Sequence, residues 1–257
     1  MNKFERSKVL MRGACFALMV CCTAACVTES SGGMPGPAPT DARVQAQLEL
    51  ARGYLEQRDF NRARGPLGKA LDIDPQHVEA HVLSAFLLNA EKDYGPAEQH
   101  YKIALRIRPD DAQALNNYGT FLYSRGRYAD AIEPLERLVK DTTYRARAQA
   151  FENLGMAYLR MEQAEQSEAA FARSLELNFR QPRATLELAD MAYGRGDHTT
   201  AAARLLEFKT MSRQNARSLC LGLKVATALG DDNQASSNLL ALKNLFPEAV
   251  DACQAKS

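Results

Sequence analysis

Residues 115–138 read LNNYGTFLYSRGRYADAIEPLERL, two short segments that are separated by Ser124-Arg125-Gly126. The first segment places apolar or small residues at the three- and four-residue spacing of one buried helix face: Leu115, Tyr118, Gly119 and Leu122. The second segment shows the same spacing at Ala131, Leu135 and Leu138. Because Gly119 and Ala131 are small, two helix backbones can approach closely where they cross. The stretch therefore predicts a pair of packed helices.

This pattern recurs along the chain at a period of 34 residues. Four sets of positions share the period: Ala63, Ala97 and Ala131; Tyr54, Leu88 and Leu122; Ala70 and Ala104; Pro75 and Pro109. A large-and-small pattern with this period resembles the tetratricopeptide repeat (TPR), a helix pair that buries its apolar face only by stacking on neighbouring repeats.

Six such repeats are expected between residues 41 and 250, and a two-residue slip at Asp141–Tyr144 precedes the fourth. No strand is needed to account for any part of the chain. The sequence therefore predicts an all-α protein, a right-handed superhelical solenoid of about six TPR helix pairs. Residues 251–257 are expected to form a C-terminal tail.

The N-terminal residues have the composition of a secretory signal. Four basic residues and one acid, Glu5, precede a 13-residue apolar run, GACFALMVCCTAA, which is followed by Cys26. A basic start, a short apolar run and small residues before a cleavage site are typical of a signal peptide. The alternative, an uncleaved anchor helix, is disfavoured because spanning a bilayer takes about 20 apolar residues. Residues 1–25 are therefore predicted to be a lipoprotein signal peptide.

The end of this segment, Thr23-Ala24-Ala25-Cys26, resembles a bacterial lipobox, in which cleavage falls just before a lipid-bearing Cys. The resemblance implies lipid attachment at Cys26, although Thr23 stands where the pattern usually has Leu. Val27 is not the Asp that usually retains such lipoproteins at the inner membrane. The resemblance therefore implies the periplasmic face of the outer membrane as the destination. Residues 26–40 are rich in Ser, Gly and Pro and are predicted to form the lipidated N-terminus and a flexible tether.

Charge and cysteine content exclude some partners. Cleavage before Cys26 would remove four of the 32 basic residues and one of the 31 acidic residues, which leaves a net charge of about −2. No run of Lys and Arg predicts the basic stripe of a nucleic-acid binder, and we expect neither nucleic acid nor a small-molecule substrate. A disulfide is permitted in an oxidising compartment. However, Cys220 lies in a predicted helix and Cys253 near the terminus, so we expect two free thiols.

One group of residues could suggest catalysis, His77-Val78-Glu79-Ala80-His81. A metalloprotease uses two His at this spacing, but with Glu directly after the first His. Here Glu79 follows by two residues, no third ligand is evident, and His77 lies in the turn after Pro75. We therefore interpret His77 as a loop residue and His81 as a helix-surface residue. No catalytic residue, metal site or cofactor is predicted, and the chain is not expected to be an enzyme.

Function is then expected on the inner surface of the solenoid. In TPR arrays, positions two, five, nine and twelve of the first helix of each repeat face an inner groove. The candidate partner-binding residues at these positions are Val82, Phe86, Asn89, Gln113, Asn116, Thr120, Tyr123, Glu152 and Met156. The set is mainly aromatic, amide and aliphatic, which favours an extended or helical peptide with apolar anchors. For Phe86 and Met156, packing between helices is an equally open alternative.

Several motifs resemble the type IV pilus pilotin family, PilF/PilW. They are LNNYG with FLY at residues 115–123, FENLG at 151–155 and QNARSL at 214–219, together with the slip at Asp141–Tyr144. Asn178 and Gln181-Pro182 also match. The resemblance implies a lipoprotein under the outer membrane that binds the type IV pilus secretin. It also implies that the protein helps the secretin reach that membrane and multimerise, supporting pilus biogenesis and twitching motility without catalysing a reaction.

A second function remains open from the sequence, that of a general outer-membrane TPR adaptor that scaffolds peptidoglycan-processing enzymes. Such an adaptor would share the signal peptide, the tether and the repeats. Only the identity of the partner protein separates the two functions.

Overall fold

The computed structural model describes residues 40–254. The predicted signal peptide, Cys26 and nearly all of the tether lie outside the described residues, as do residues 255–257. The described part is helical and contains no strand. Its helices form six pairs: α1 Thr40–Glu56 with α2 Phe60–Ile73, α3 Val78–Ala90 with α4 Tyr94–Ile107, α5 Ala112–Ser124 with α6 Tyr128–Lys140, α7 Arg147–Arg160 with α8 Ala164–Leu177, α9 Pro182–Gly194 with α10 His198–Met211, and α11 Ala216–Leu229 with α12 Asp232–Leu245. The prediction of a TPR solenoid is confirmed.

The helices lie in two layers. Each odd-numbered helix packs against the even-numbered helix that follows it, and every odd-numbered helix from α1 to α9 also contacts the next odd-numbered one. Successive even-numbered helices approach each other less closely. The odd-numbered helices therefore form the inner, more tightly packed layer, and the even-numbered helices form the outer layer.

Close packing within the third repeat depends on Gly119. A Cβ added to Gly119 would lie 2.7 Å from Cγ of Leu135, so the Leu135 side chain fills the space in front of the glycine. Gly155 is covered in the same way by Phe171, which would lie 2.7 Å from an added Cβ. Any side chain at these positions would overlap Leu135 or Phe171, so that either the facing side chain or the two helices of the repeat would have to move.

The turn between the paired helices uses a left-handed residue in the same place of each repeat. Gly126 has a φ of 75° there. Glycine adopts this conformation without a steric penalty, yet Arg58, Lys92 and Glu162 adopt it as well, with φ values of 58°, 66° and 59°. The turn is therefore imposed by the packing of the helices as well as by local sequence.

The C-terminal end corrects one prediction. A 3₁₀ turn at Pro247–Ala249 leads into a short helix, α13 Val250–Gln254, and both pack against α12. Cys253 is buried beside Leu219 and Leu242 and forms a disulfide with Cys220, with a Cα–Cα distance of 5.6 Å. The expectation of two free thiols is wrong, because the chain after Pro247 folds back onto the last repeat and brings Cys253 to α11.

Candidate peptide-binding groove

The candidate groove is the solvent-facing surface of the inner helices α3, α5 and α7. Seven of the nine predicted residues keep exposed or half-exposed side chains on this surface: Phe86, Asn89, Gln113, Asn116, Thr120, Tyr123 and Met156. Phe86 is 44% exposed, so packing between the helices does not bury its ring. These residues offer apolar anchors that alternate with amide and hydroxyl groups.

Val82 does not belong to this surface. Its exposed fraction is 0%, and it lies in the core cluster that also contains Leu115 and Leu122. Because the inner helices α3 and α5 pack side by side, position five of α3 faces the seam between them. Val82 is therefore a core residue, which corrects its prediction as a groove residue.

Glu152 is also buried, with 3% exposure, and its carboxylate is occupied by neighbours. It accepts hydrogen bonds from the Gln149 amide at 2.9 Å and from the backbone N–H of Ala184 at 3.2 Å. Helix α9 begins at Pro182, which has no N–H, and its N-cap residue Gln181 makes no side-chain capping bond. Glu152 therefore caps α9 from the preceding repeat and joins repeats four and five, instead of presenting a free carboxylate to a partner.

The polar side chains of α5 differ in how far they are already hydrogen-bonded. Thr120 Oγ1 lies 2.9 Å from the carbonyl oxygen of Asn116 and 3.0 Å from that of Asn117, so its hydroxyl donates within its own helix. Asn116 donates a long bond of 3.5 Å to the Asn117 side chain. Within residues 40–254, the Gln113 side chain has no hydrogen-bond partner and is exposed. The amides of Gln113 and Asn116 can therefore pair with the main chain of a bound peptide.

An aromatic and arginine rim borders the groove at the turn end of α5. The ring of Tyr123 lies 5.0 Å from the ring of Tyr128, and Arg160 Nε lies 3.4 Å from the Tyr123 hydroxyl oxygen. This hydrogen bond raises the pKa of Arg160 above its ordinary value. Tyr128 and Arg160 are not at the groove positions of the repeat and were not predicted to lie here. The five-residue spacing of Tyr123 and Tyr128 could have revealed the pair, because Tyr193 and His198 repeat it with ring centroids 5.3 Å apart.

A polar network fixes α5 against its outer-layer neighbours. Tyr118 donates a hydrogen bond of 3.1 Å to Glu98, and Arg127 contacts the same carboxylate at 2.7 Å. Burial, together with the nearby charge of Glu98, raises the pKa of Tyr118 to about 12, so the phenol stays a neutral donor. The inner helix that carries the central groove residues is thus held by α4 and α6.

Three of the four histidines lie at or within the helices of the second repeat. His77 caps α3, its Nδ1 accepting from the Ala80 N–H at 3.3 Å. His81 is only 6% exposed, which corrects its prediction as a helix-surface residue, and its Nδ1 lies 2.8 Å from Nδ1 of His100. Among residues 40–254, no group of three or more His, Cys, Asp or Glu side chains could hold a metal ion. None of the helices in that range is long and apolar enough to cross a membrane.

Comparison with protein families identifies the repeats. Two tetratricopeptide repeat models match the chain, one at residues 54–114 and the other at residues 91–150 and 152–216. These segments cover the second half of the first repeat and the whole of repeats two to five, including all of the candidate groove.

Comparison with individual proteins narrows the relationship. The chain is 37% identical over 245 residues to the type IV pilus assembly protein PilF of Pseudomonas aeruginosa, which covers 94% of this chain and 96% of PilF. It superposes on a solved structure of Pseudomonas aeruginosa PilF with a TM-score of 0.79 at 37% identity, over 85% of this chain and 99% of the other. A structure of PilW, described as a widely conserved type IV pilus biogenesis factor, gives a TM-score of 0.69 at 28% identity, over 83% and 97% of the two chains.

Proposed function

The chain belongs to the family of type IV pilus TPR proteins that includes PilF and PilW, and from this premise we propose that it is an outer-membrane lipoprotein pilotin. In this function it binds the type IV pilus secretin through its inner groove. It promotes the arrival of the secretin at the outer membrane and its assembly there into multimers.

The surface of α3, α5 and α7 is the observation that carries the proposal. Exposed Phe86 and half-exposed Tyr123 and Met156 supply apolar anchors, and between them lie the unpaired amide of Gln113 and the amide of Asn116, which makes only one long hydrogen bond. An extended segment of a partner can place apolar side chains against the anchors while its main chain pairs with the amides. TPR proteins mediate protein–protein contacts, and the TPR scaffold proteins of pilus biogenesis are in general non-enzymatic.

The predicted lipid at Cys26 gives the groove its location. An acyl chain gains about 0.8 kcal/mol for each buried CH₂, and stable anchoring takes more than one chain. A groove that is tethered to a membrane raises the concentration of its cargo at that membrane. The proposal therefore joins two parts: the lipid selects the outer membrane, and the groove selects the protein that is delivered to it.

The test is a pull-down of the tagged full-length lipoprotein from detergent-solubilised outer membranes, with mass-spectrometric identification of the proteins recovered. We expect the pilus secretin with the wild type and a clear loss of it with the double variant Phe86→Ala and Tyr123→Ala. A helical circular dichroism spectrum equal to that of the wild type would show that the variant is folded.

A matched control is Leu206→Ala with Leu240→Ala, which removes two exposed apolar side chains from the outer layer. This control should recover as much secretin as the wild type. Recovery of peptidoglycan-processing enzymes without secretin would contradict the proposal and support the general adaptor instead.

A further inference from the structure

Arginines gather at one edge of the last three repeats. They occupy the loops before the inner helices α7, α9 and α11, or the first turns of those helices: Arg145, Arg147, Arg180, Arg183, Arg213 and Arg217. Because all inner helices run in the same direction, their N-terminal ends lie on the same edge of the inner layer. In sequence the six residues are spread over about 70 positions, so only the fold brings them to one edge.

Two buried carboxylates show that these helix ends are neighbours. Glu152, in the second turn of α7, reaches the first turn of α9 and accepts from the Ala184 N–H. Glu187, in the second turn of α9, reaches the first turn of α11, where Arg217 donates to both its oxygens at 2.5 and 2.7 Å. In both cases a glutamate in the second turn of one inner helix bonds to the first turn of the next, which joins α7 to α9 and α9 to α11. The three N-terminal turns therefore form one continuous edge.

Most of the positive charge on this edge is not neutralised. Arg145, Arg180 and Arg213 are exposed, and none of them forms an ion pair within residues 40–254. Arg183, with 57% of its side chain exposed, has one long ion pair of 3.7 Å, to Glu152. Arg217 is paired with Glu187 and Asp190 but keeps 47% of its side chain exposed. Glu152 and Glu187 are themselves buried, so they offer little surface to other cations.

The same edge in the first repeats has the opposite character. The loops before α3 and α5, with the first turns that follow, carry Asp74, Glu79, Asp110 and Asp111, and their one arginine, Arg108, is paired with Asp111 at 2.9 Å. Acidic residues suit this place, because the N-terminal end of a helix carries partial positive charge. Arginine there opposes the helix dipole, so the arginines of the later repeats are unfavourable for the helices that bear them. Arg145, Arg180 and Arg213 make no ion pair within residues 40–254 that would stabilise the fold, whereas an anionic ligand would account for them.

We propose that this arginine edge binds an acidic segment of the polypeptide that occupies the groove. The inference rests on the proposed function and adds to it the orientation of the bound segment along the groove. Position two of the inner helices changes along the groove from Gln113 and Gln149 to Arg183 and Arg217. The arginine edge therefore continues the row in which α5 offers the unpaired amide of Gln113. A partner would place its apolar anchors on α3, α5 and α7 and its Asp and Glu side chains on the ends of α9 and α11. Guanidinium groups bind carboxylates with two parallel hydrogen bonds, which suits arginine better than lysine for this purpose.

The experiment is selection of peptides from a random library on the immobilised full chain. The selected peptides are then labelled, and their dissociation constants are measured at low and high salt. We expect the selected peptides to carry apolar residues followed by a cluster of Asp or Glu. Their affinity should fall by about tenfold or more with the triple variant Arg180→Gln, Arg183→Gln and Arg213→Gln, and it should fall with rising salt.

The control variant Arg106→Gln, Arg173→Gln and Arg204→Gln removes the same charge from the outer layer and should bind within about twofold of the wild type. Peptides without acidic enrichment, or equal affinity of the two triple variants, would overturn the inference. Light scattering tests whether the wild type self-associates. Salt-sensitive self-association that is lost in the triple variant Arg180→Gln, Arg183→Gln and Arg213→Gln would also overturn the inference, because the ligand of the arginine edge would then be a second copy of this chain.

Failure of this inference and failure of the proposed function would give different results. If the triple variant still recovers the secretin as well as the wild type, the arginine inference fails and the pilotin function stands. If the wild type selects acidic peptides but recovers no secretin, the pilotin function fails and the acidic preference remains.

Discussion

Gly119 and Leu135 show how a single residue sets the spacing within a repeat. Gly119 was predicted to lie where two helices cross because it is small, and in the structure a Cβ added there would overlap Leu135. The residue that it faces, Leu135, could not be identified from spacing alone, because Ala131 and Leu135 both lie on the correct face of the second helix. Only the crossing geometry decides which of them covers the glycine.

Replacing Gly119 by Ala should destabilise the protein by about 1–3 kcal/mol, because the added Cβ would overlap Leu135. Thermal unfolding followed by circular dichroism measures this as a lower melting temperature. Gly68→Ala is the matched control: Gly68 is exposed within α2, and nothing lies within 4 Å of an added Cβ. That variant should gain up to about 1 kcal/mol, since alanine favours the helix. Equal melting temperatures for the two variants would contradict the assigned packing.

Buried His81 and half-buried His100 form a pair that could not be predicted from the sequence. Nε2 of His81 lies 3.0 Å from the carbonyl oxygen of Pro75, so this nitrogen donates. In the neutral pair, Nδ1 of His81 then accepts the proton of His100 Nδ1. One added proton can be accommodated by reversing this bond, but two would place N–H groups face to face. Burial, and secondarily the charge of His81, lowers the pKa of His100 below 6.5.

This pair predicts acid-sensitive stability. Unfolded His100 titrates near 6.5 and the folded residue titrates lower, so below that pH the unfolded state binds more protons. The stability is therefore present above pH 6.5 and is lost as the pH falls towards the folded pKa. The melting temperature of the wild type should drop more between neutral and mildly acidic pH than that of His100→Gln. His198→Gln, in repeat five, is the control and should keep the wild-type drop; an equal drop in all three would rule out the pair as the cause.

At the scale of the helices, periodicity predicted most of what the structure shows, and long-range contacts explain what it did not. The 34-residue period specified six helix pairs, because each repeat must present its apolar stripe to the next. Val82 and Glu152 were assigned to the groove because position five faces inward in a TPR. In this chain, Val82 at position five of α3 packs between α3 and α5, and Glu152 at position five of α7 caps α9, the next inner helix. Both outcomes depend on neighbouring repeats, which a pattern within one repeat does not specify.

The disulfide between Cys220 and Cys253 links the helix α13 covalently to the last repeat. The bond closes a loop with a sequence separation of 33 residues. Such a loop restricts the unfolded chain by about 3–4 kcal/mol on the chain-entropy account. The variant Cys253→Ser should lower the melting temperature and increase hydrogen exchange in α11 and α12. Exchange in α3 and α5, four helices or more away, serves as the internal control. Unchanged exchange of the wild type after full reduction would show that the disulfide does not stabilise this end.

At the scale of the whole molecule, location and binding are assigned to separate parts of the chain. The predicted lipid attachment at Cys26 lies ahead of the described residues, and the groove and the arginine edge lie within the solenoid. Changing one part should therefore leave the other intact.

Cys26→Ser should lose the acyl anchor and leave the outer-membrane fraction, because without acyl chains the gain of about 0.8 kcal/mol for each buried CH₂ is absent. Cell fractionation and immunoblotting measure this distribution. Cys22→Ser is the matched control and should keep the wild-type distribution, since Cys21, which precedes Cys22, is not a residue expected before a lipid-bearing cysteine. Retention of Cys26→Ser at the outer membrane would show that the anchor is elsewhere.

The most direct measurement is the amount of multimeric secretin in purified outer membranes of a strain that lacks this protein. The account predicts that multimers and surface pili are lost in the deletion strain and restored by the wild-type gene. It also predicts that neither Cys26→Ser nor the double variant Phe86→Ala and Tyr123→Ala restores them fully. Normal multimers and pili in the deletion strain, with altered cell-wall turnover, would contradict it.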